Sequence, residues 1–266
     1  MNYIETNKAA WEEAFDHRHA NWGEDDHIRL KSGKLSFFNE GLKRELERLE
    51  LKGKAVAQFC CNNGSELMSL ITASGAGHGI GFDIAENIIG HARQTAAKAE
   101  ITNCDFVACN ILDVPESYHG RFDFIFFTVG AIIWFESLGL LFEKTAKCLK
   151  SGGLLLINDF HPVTNMLAFP GSEGFDPGEL NHFAYSYFNR EPWVTNNGMG
   201  YMTPEYASKA FTSYSHTMSA IVNELSENRM KTVRLNEYDY SDDEGLTGVY
   251  RGKGIPLSFV LIAEKA

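Results

Sequence analysis

The alternation of apolar and polar positions changes period twice along this chain. Through the first fifty residues the apolar side chains recur at helical spacing, with Ile4, Ala9 to Trp11 and Phe15 in one run and Phe37-Phe38, Leu42, Leu46 and Leu49 in a second. Helices are expected there, joined by a polar, histidine-rich linker from His17 to Asp26. From residue 51 onward, short apolar runs alternate with helical patterns, the signature of a parallel sheet with crossover helices. Strands are expected at 55–59, 79–82, 105–108, 122–127 and 154–157, with helices at 65–72, 85–99 and 137–149. Lys150-Ser151-Gly152-Gly153 supplies the turn before the fifth strand, with glycine where positive φ is needed.

After Asp159 this rhythm breaks for about fifty residues, too long for a structureless connection inside a compact domain. The segment is rich in rings, among them Phe169, Phe183, Tyr185, Tyr187, Phe188, Trp193, Tyr201, Tyr206 and Phe211. It reads as an insertion that covers a substrate, with short strands of its own at 184–188 and 193–195. A helix at 217–228 and strands at 233–238 and 257–263 then complete the sheet. The whole is a doubly wound α/β fold with a mostly parallel seven-stranded sheet, N-terminal helices and an aromatic-rich cap. As one domain it divides into an N-terminal lid (1–50), a core (51–159), the cap (160–215) and a closing section (216–266).

At 266 residues, 44% hydrophobic and 22% charged, the chain can bury one large core, which excludes disordered and fibrous classes. No apolar run reaches the roughly 18 to 20 residues that cross a bilayer, and the start of the chain lacks a signal pattern, so a cytoplasmic location away from membranes is expected. A formal charge of -11 without a basic stripe disfavours nucleic acid as a partner. The five cysteines, Cys60, Cys61, Cys104, Cys109 and Cys148, show no zinc-like spacing, so buried free thiols and no metal site are expected.

The candidate chemistry begins at Val56-Ala57-Gln58-Phe59-Cys60-Cys61-Asn62-Asn63-Gly64-Ser65-Glu66, a strand, a tight turn and a helix start. A helix that opens there presents unpaired N–H groups and its positive end, with Gly64 the point of closest approach for a ligand. Asp83, closing the second strand, is placed to accept from two ribose hydroxyls, or else to cap the following helix. Asn110 and Ile111, past the third strand, are placed for an adenine edge, with capping of the next turn the alternative for Asn110. Gly75 to Gly81 imitates a dinucleotide fingerprint, yet its glycines precede a strand instead of opening a helix, which marks a loop.

In this order the motifs resemble the class I S-adenosyl-L-methionine-dependent methyltransferases, in particular those with a large insertion after the fifth strand. Gln58 to Gly64, Gly81-Phe82-Asp83, Cys109-Asn110-Ile111, and Phe122-Asp123 through Leu149 to Gly153 carry the likeness. It implies a Rossmann-like methyltransferase fold and S-adenosylmethionine as cofactor, with S-adenosylhomocysteine as product. The family's first motif has an acid and three alternating glycines, whereas Gln58, Cys60 and Asn62 stand in three of those places and only Gly64 is kept. An amide at Gln58 cannot attract the cofactor's ammonium as a carboxylate does, so that contact must come from elsewhere or be weaker. The resemblance sets the methionine part near Phe59, Cys60, Asn62 and Gly64, the ribose on Asp83, and the adenine against Ile84, Asn110 and Ile111. Phe127, Thr128, Val129 and Gly130 would face the sulfonium. The Asn-Pro-Pro-Tyr signature of amide-methylating relatives is absent, which argues against DNA adenine or protein glutamine.

Methyl transfer needs an oriented nucleophile, exclusion of water and, for some acceptors, removal of a proton. His161 is the first base candidate, with Asp159 to orient it; a loop histidine bonded to backbone and a turn-capping aspartate are the plain alternatives. His216 is a second candidate, from the end of the cap. Tyr3, Asn7 and Trp11 are candidates for a lid over the cofactor, with core packing equally open for Trp11. A small-molecule acceptor in an apolar pocket is the expected partner, and a monomer and a homodimer both fit. Two other functions use the same logic: an NAD(P)-dependent oxidoreductase, which needs a GxGxxG turn this chain lacks, and a non-catalytic S-adenosylmethionine-binding regulator.

Overall fold

A computed structural model describes residues 2–170, 172, 174–180 and 182–266. Its elements are α1 (Tyr3–Asp16), α2 (Asp26–Leu30), α3 (Glu40–Leu46), β1 (Ala55–Phe59), α4 (Ser65–Ser74), β2 (His78–Asp83), α5 (Glu86–Lys98), β3 (Cys104–Ala108), β4 (Phe122–Phe127), α6 (Leu138–Cys148), β5 (Leu149–Phe160), β6 (Trp193–Thr195), β7 (Phe211–Ser213), α7 (Met218–Glu227), β8 (Met230–Tyr238), α8 (Glu244–Tyr250) and β9 (Ser258–Lys265). The main sheet runs β3-β2-β1-β4-β5-β9-β8, with β1 to β5 parallel and β9 antiparallel to both its neighbours.

The central strands are apolar on both faces because helices cover both, the condition for an all-parallel segment. On one face Phe59, Ile125, Phe127 and Ile157 pack with Leu141 and Phe142 of α6 and Ile221 and Leu225 of α7. On the other, Val56, Phe124, Phe126 and Leu156 pack with Leu67 and Met68 of α4 and Ile89 of α5. Each such side chain contributes roughly 1.5–3 kcal/mol of burial, which anchors the strand ends where the functional loops begin. Helix starts follow local chemistry: Asn39, Ser137, Thr217 and Asp243 accept from main-chain N–H groups in the first turns of α3, α6, α7 and α8.

Two expectations are corrected. Residues 184–188 are not a strand; the main chain there turns, and the Ala184 and Tyr185 amides donate to the Met166 carbonyl. The partner of β6 is β7, in a separate two-stranded antiparallel sheet. The turn expected at 150–153 lies inside the long β5, although Gly152 does take a positive φ of 71°. No helix among the described residues is long and apolar enough to cross a membrane.

Candidate active site

The carboxyl ends of β1, β2 and β4 converge on the turn that follows β1. Cys60 (φ 55°), Asn62 (φ 48°) and Gly64 (φ 73°) all take left-handed backbone there. The Asn62 N–H donates to Asp83 Oδ2 at 2.9 Å, and Asp83 Oδ1 accepts from the Ala85 N–H at 3.1 Å. Asp83 therefore closes a turn just ahead of α5, whose N-cap is Ala85 without a side-chain cap, and ties it to the turn after β1. Burial raises its carboxyl pKa, and the Ala85, Asn62 and Ile84 amides pull it back down. A Cβ on Gly64 would lie 2.2 Å from a Phe106 ring carbon, so packing against β3 demands glycine here as much as the turn does. Gly64 brings no side chain to the start of α4, and the Ser65 N–H donates instead to Asn63 Oδ1 at 3.2 Å.

A cleft of about 360 Å³ opens between α1 and the ends of β2 and β3, lined in part by Asn2, Ile4, Ile84, Cys109, Asn110 and Asp113. Ile84 and Asn110 thus share one cavity, as expected for an adenine site. The Asn110 side chain accepts from the Leu112 N–H at 3.1 Å and donates to Asp113 Oδ2 at 2.8 Å, so it caps the turn. Ile111 is buried, and Phe59 packs edge-on against Phe82 and Phe127 at 5.4 and 5.6 Å beneath the site. Phe59 therefore supports the turn from the core and offers a ligand no ring surface.

Two residues missed in the sequence join this edge. Glu66, in the first turn of α4, accepts from Gln58 Nε2 at 2.6 Å and from Thr128 Oγ1 at 2.5 Å, and Gln58 Nε2 also donates to Thr128 Oγ1 at 3.0 Å. Burial pushes its pKa up to about 7, against the two hydrogen bonds, and Asp242 adds repulsion. Tyr201 of the cap accepts from Asn62 Nδ2 at 3.0 Å, although the residue is 61% exposed. Burial of the hydroxyl end, with Asp83 and Glu66 nearby, raises its pKa. The only signal for Glu66 was an acid at the start of a helix.

The loop after β4 is held by Asp159. Its carboxylate accepts from the amides of Gly130 at 2.8 Å, Phe160 at 2.7 Å and Ile132 at 3.4 Å, and burial raises its pKa to about 6 against these bonds. It shapes the 128–132 loop and does not orient His161. His161 Nδ1 accepts from the Val163 N–H at 3.2 Å, and Nε2 lies 2.8 Å from Glu237 Oε1. The residue is buried, Nδ1 is engaged and Nε2 makes no hydrogen bond within the described residues: His161 caps the turn after β5. His216 Nε2 lies 2.9 Å from the Phe135 carbonyl oxygen and is engaged; burial lowers its pKa.

Val129, beside the left-handed Gly130, is partly buried, and a Cβ on Gly130 would meet open space. Trp11 packs edge-on against Trp134 and Phe211, each at 5.4 Å, so the lid helix, the β4 loop and the cap meet at one indole. The Tyr3 hydroxyl accepts from the Glu136 amide at 3.3 Å, which fastens α1 to the β4 loop a second time.

This strand order, with its antiparallel β9 between β5 and β8, is that of the Rossmann-like methyltransferase fold, with a ligand-sized cleft over β2 and β3. Residues 51–180 match the family model described as a methyltransferase domain. Among curated proteins none matches. Solved structures with the same fold include a candidate S-adenosylmethionine-dependent methyltransferase from Listeria monocytogenes, at 18% identity and TM-score 0.64, covering 84% of this chain and 97% of that one. An S-adenosylmethionine-dependent methyltransferase from Mesorhizobium loti matches at 16% identity and TM-score 0.58, over 87% of this chain and 100% of the other. Geranyl diphosphate C-methyltransferase from Streptomyces coelicolor, solved with Mg2+, geranyl diphosphate and S-adenosylhomocysteine, matches at 13% identity and TM-score 0.61, over 100% and 99%.

Proposed function

We propose that this chain transfers a methyl group from S-adenosylmethionine to a small-molecule acceptor. The observation that carries the reading is the joined pair Asn62 and Asp83, set beside the cleft that holds Ile84 and Asn110. Asp83 keeps lone pairs for two ribose hydroxyls, since each of its oxygens accepts one main-chain N–H and a carboxylate has about four acceptor positions. The cofactor, when bound, supplies an electrophilic methyl carbon. The chain holds the adenosyl part in the cleft, fixes the 128–130 loop through Asp159, and excludes water with α1 and the cap, the terms on which an in-line displacement depends.

The buried acids at this edge of the sheet favour a neutral or cationic acceptor. Among the described residues Asp83, Glu66, Asp159 and Asp242 form no ion pair with a lysine or arginine, so a diphosphate like that of the Streptomyces enzyme would meet uncompensated negative charge. With His161 capping a turn and His216 Nε2 engaged, no base is assigned to either histidine.

Calorimetry against S-adenosylmethionine, S-adenosylhomocysteine and NAD tests the cofactor, and release of S-adenosylhomocysteine with a metabolite extract tests catalysis. Binding of both sulfur compounds with turnover is expected. Tight NAD binding without response to the sulfur compounds overturns the proposal, and binding without turnover in any extract leaves a regulator in its place.

A further inference from the structure

Gln58 is wholly buried at the end of β1, and its amide is only half used. Nε2 donates to Glu66 and Thr128, while Oε1 is buried without a partner. A carbonyl left this way destabilises the fold unless a donor arrives. Beside it the Glu66 carboxylate accepts only from neutral groups, and the charge that acts on it, Asp242, has the same sign. The corner thus offers a carboxylate and a spare carbonyl and lacks a cation.

The position of this corner is defined by the turn. Asn63, Gly64 and Ser65 separate Asn62 from Glu66, and the Tyr201 hydroxyl, held by Asn62, feels the charges of both Asp83 and Glu66. Asp83, bonded to the Asn62 N–H, and Glu66, four residues on from Asn62, thus flank the turn after β1, with the ribose-binding candidate at one end.

We propose that Glu66, with the Gln58 carbonyl, binds the α-ammonium of the cofactor's methionine part, so that the acid missing from β1 is supplied from the first turn of α4. This rests on the proposed use of S-adenosylmethionine. A primary ammonium carries three donors and a full charge, which matches a carboxylate and an unpaired carbonyl side by side. The Gln58 amide then serves at both ends, Nε2 aiming the carboxylate and Oε1 receiving the ligand. An amine acceptor shares this chemistry, and a pair of ligands with and without the amino acid separates it from the cofactor.

The test is calorimetry of wild type, Glu66→Gln and the exchange variant Gln58→Glu/Glu66→Gln with two ligands. S-adenosylhomocysteine carries the ammonium; 5′-deoxy-5′-methylthioadenosine has the same adenosyl sulfide without the amino acid. Glu66→Gln should weaken S-adenosylhomocysteine by at least about tenfold, the scale of one charge-assisted hydrogen bond, and leave the truncated ligand unchanged. The exchange variant should recover part of the lost affinity. Equal affinity of Glu66→Gln and wild type for S-adenosylhomocysteine overturns the assignment, including the case in which the corner serves an amine acceptor. Equal loss of both ligands also overturns it, since that marks a structural role. If wild type binds neither compound, the cofactor reading itself fails.

Discussion

Asn7 and Thr212 exchange two hydrogen bonds: Asn7 Nδ2 donates to the Thr212 carbonyl at 2.8 Å, and the Thr212 N–H donates to Asn7 Oδ1 at 2.7 Å. A side-chain amide on the lid helix thus stands in for a strand partner of β7 and ties α1 to the cap. Asn7 is 5% exposed, so Asn7→Ala strands a donor and an acceptor away from water. The expected cost is about 1–3 kcal/mol, visible in denaturant unfolding, with faster proteolysis between residues 196 and 215. A cap as resistant as wild type would mean that the Trp11 contacts alone hold it.

Asp83→Ala removes the acceptor of both the Asn62 and Ala85 amides and the proposed ribose contact. S-adenosylhomocysteine affinity should fall by about 1–3 kcal/mol, measured by calorimetry on protein shown to be folded by circular dichroism. Unchanged affinity would remove Asp83 from the site.

For His161 a structural effect is expected. Because Nδ1 accepts from Val163, the ring proton sits on Nε2, the nitrogen 2.8 Å from Glu237 Oε1. His161→Ala should lower unfolding free energy by about 1–3 kcal/mol and leave turnover per folded molecule unchanged. Lost turnover with stability intact would return the base role to this histidine.

The buried acids set a pH dependence. Glu66 moves from its ordinary 4.5 up to about 7, and Asp159 from 3.8 up to about 6, both through burial. The folded state then binds more protons than the unfolded one, so the stability these two groups contribute is greatest in acid and falls as pH rises through this window. The groups about Glu66 are neutral Gln58 and Thr128, the weakly acidic Tyr201, and Asp242, whose charge works in the same direction. Glu66→Gln should flatten the decline in melting temperature between pH 4.5 and about 7. An identical slope in the variant would place the titration elsewhere.

The strands at 55–59 and 122–127 were legible in the sequence to the residue, because runs buried on both faces have sharp polar boundaries. The beginning of β5 was not, since Lys150-Ser151-Gly152-Gly153 is polar and reads as a turn. Nor was α8, a short helix containing two glycines. Residues 184–188 carry strand-like rings, but among the described residues no strand pairs with them. The placement of Asp83, Ile84 and Asn110 at the carboxyl edge of the sheet was legible because strand ends fix them. Glu66 was hidden because only the fold brings it to Gln58, and the proximity of His161 to Glu237 was equally hidden, since Glu237 lies on a strand far along the chain.

Cys60 and Asn62 hold backbone shapes that cost an L-residue roughly 1–2 kcal/mol each, where glycine would sit at ease. The Asn62 amide bond to Asp83 offsets part of this and freezes the rim at the moment of folding. A glycine rim samples many shapes and must be tamed by whatever it receives. This one arrives already cast, so that an incoming nucleoside loses less freedom on docking, and a chain without the usual glycines can still grip its guest.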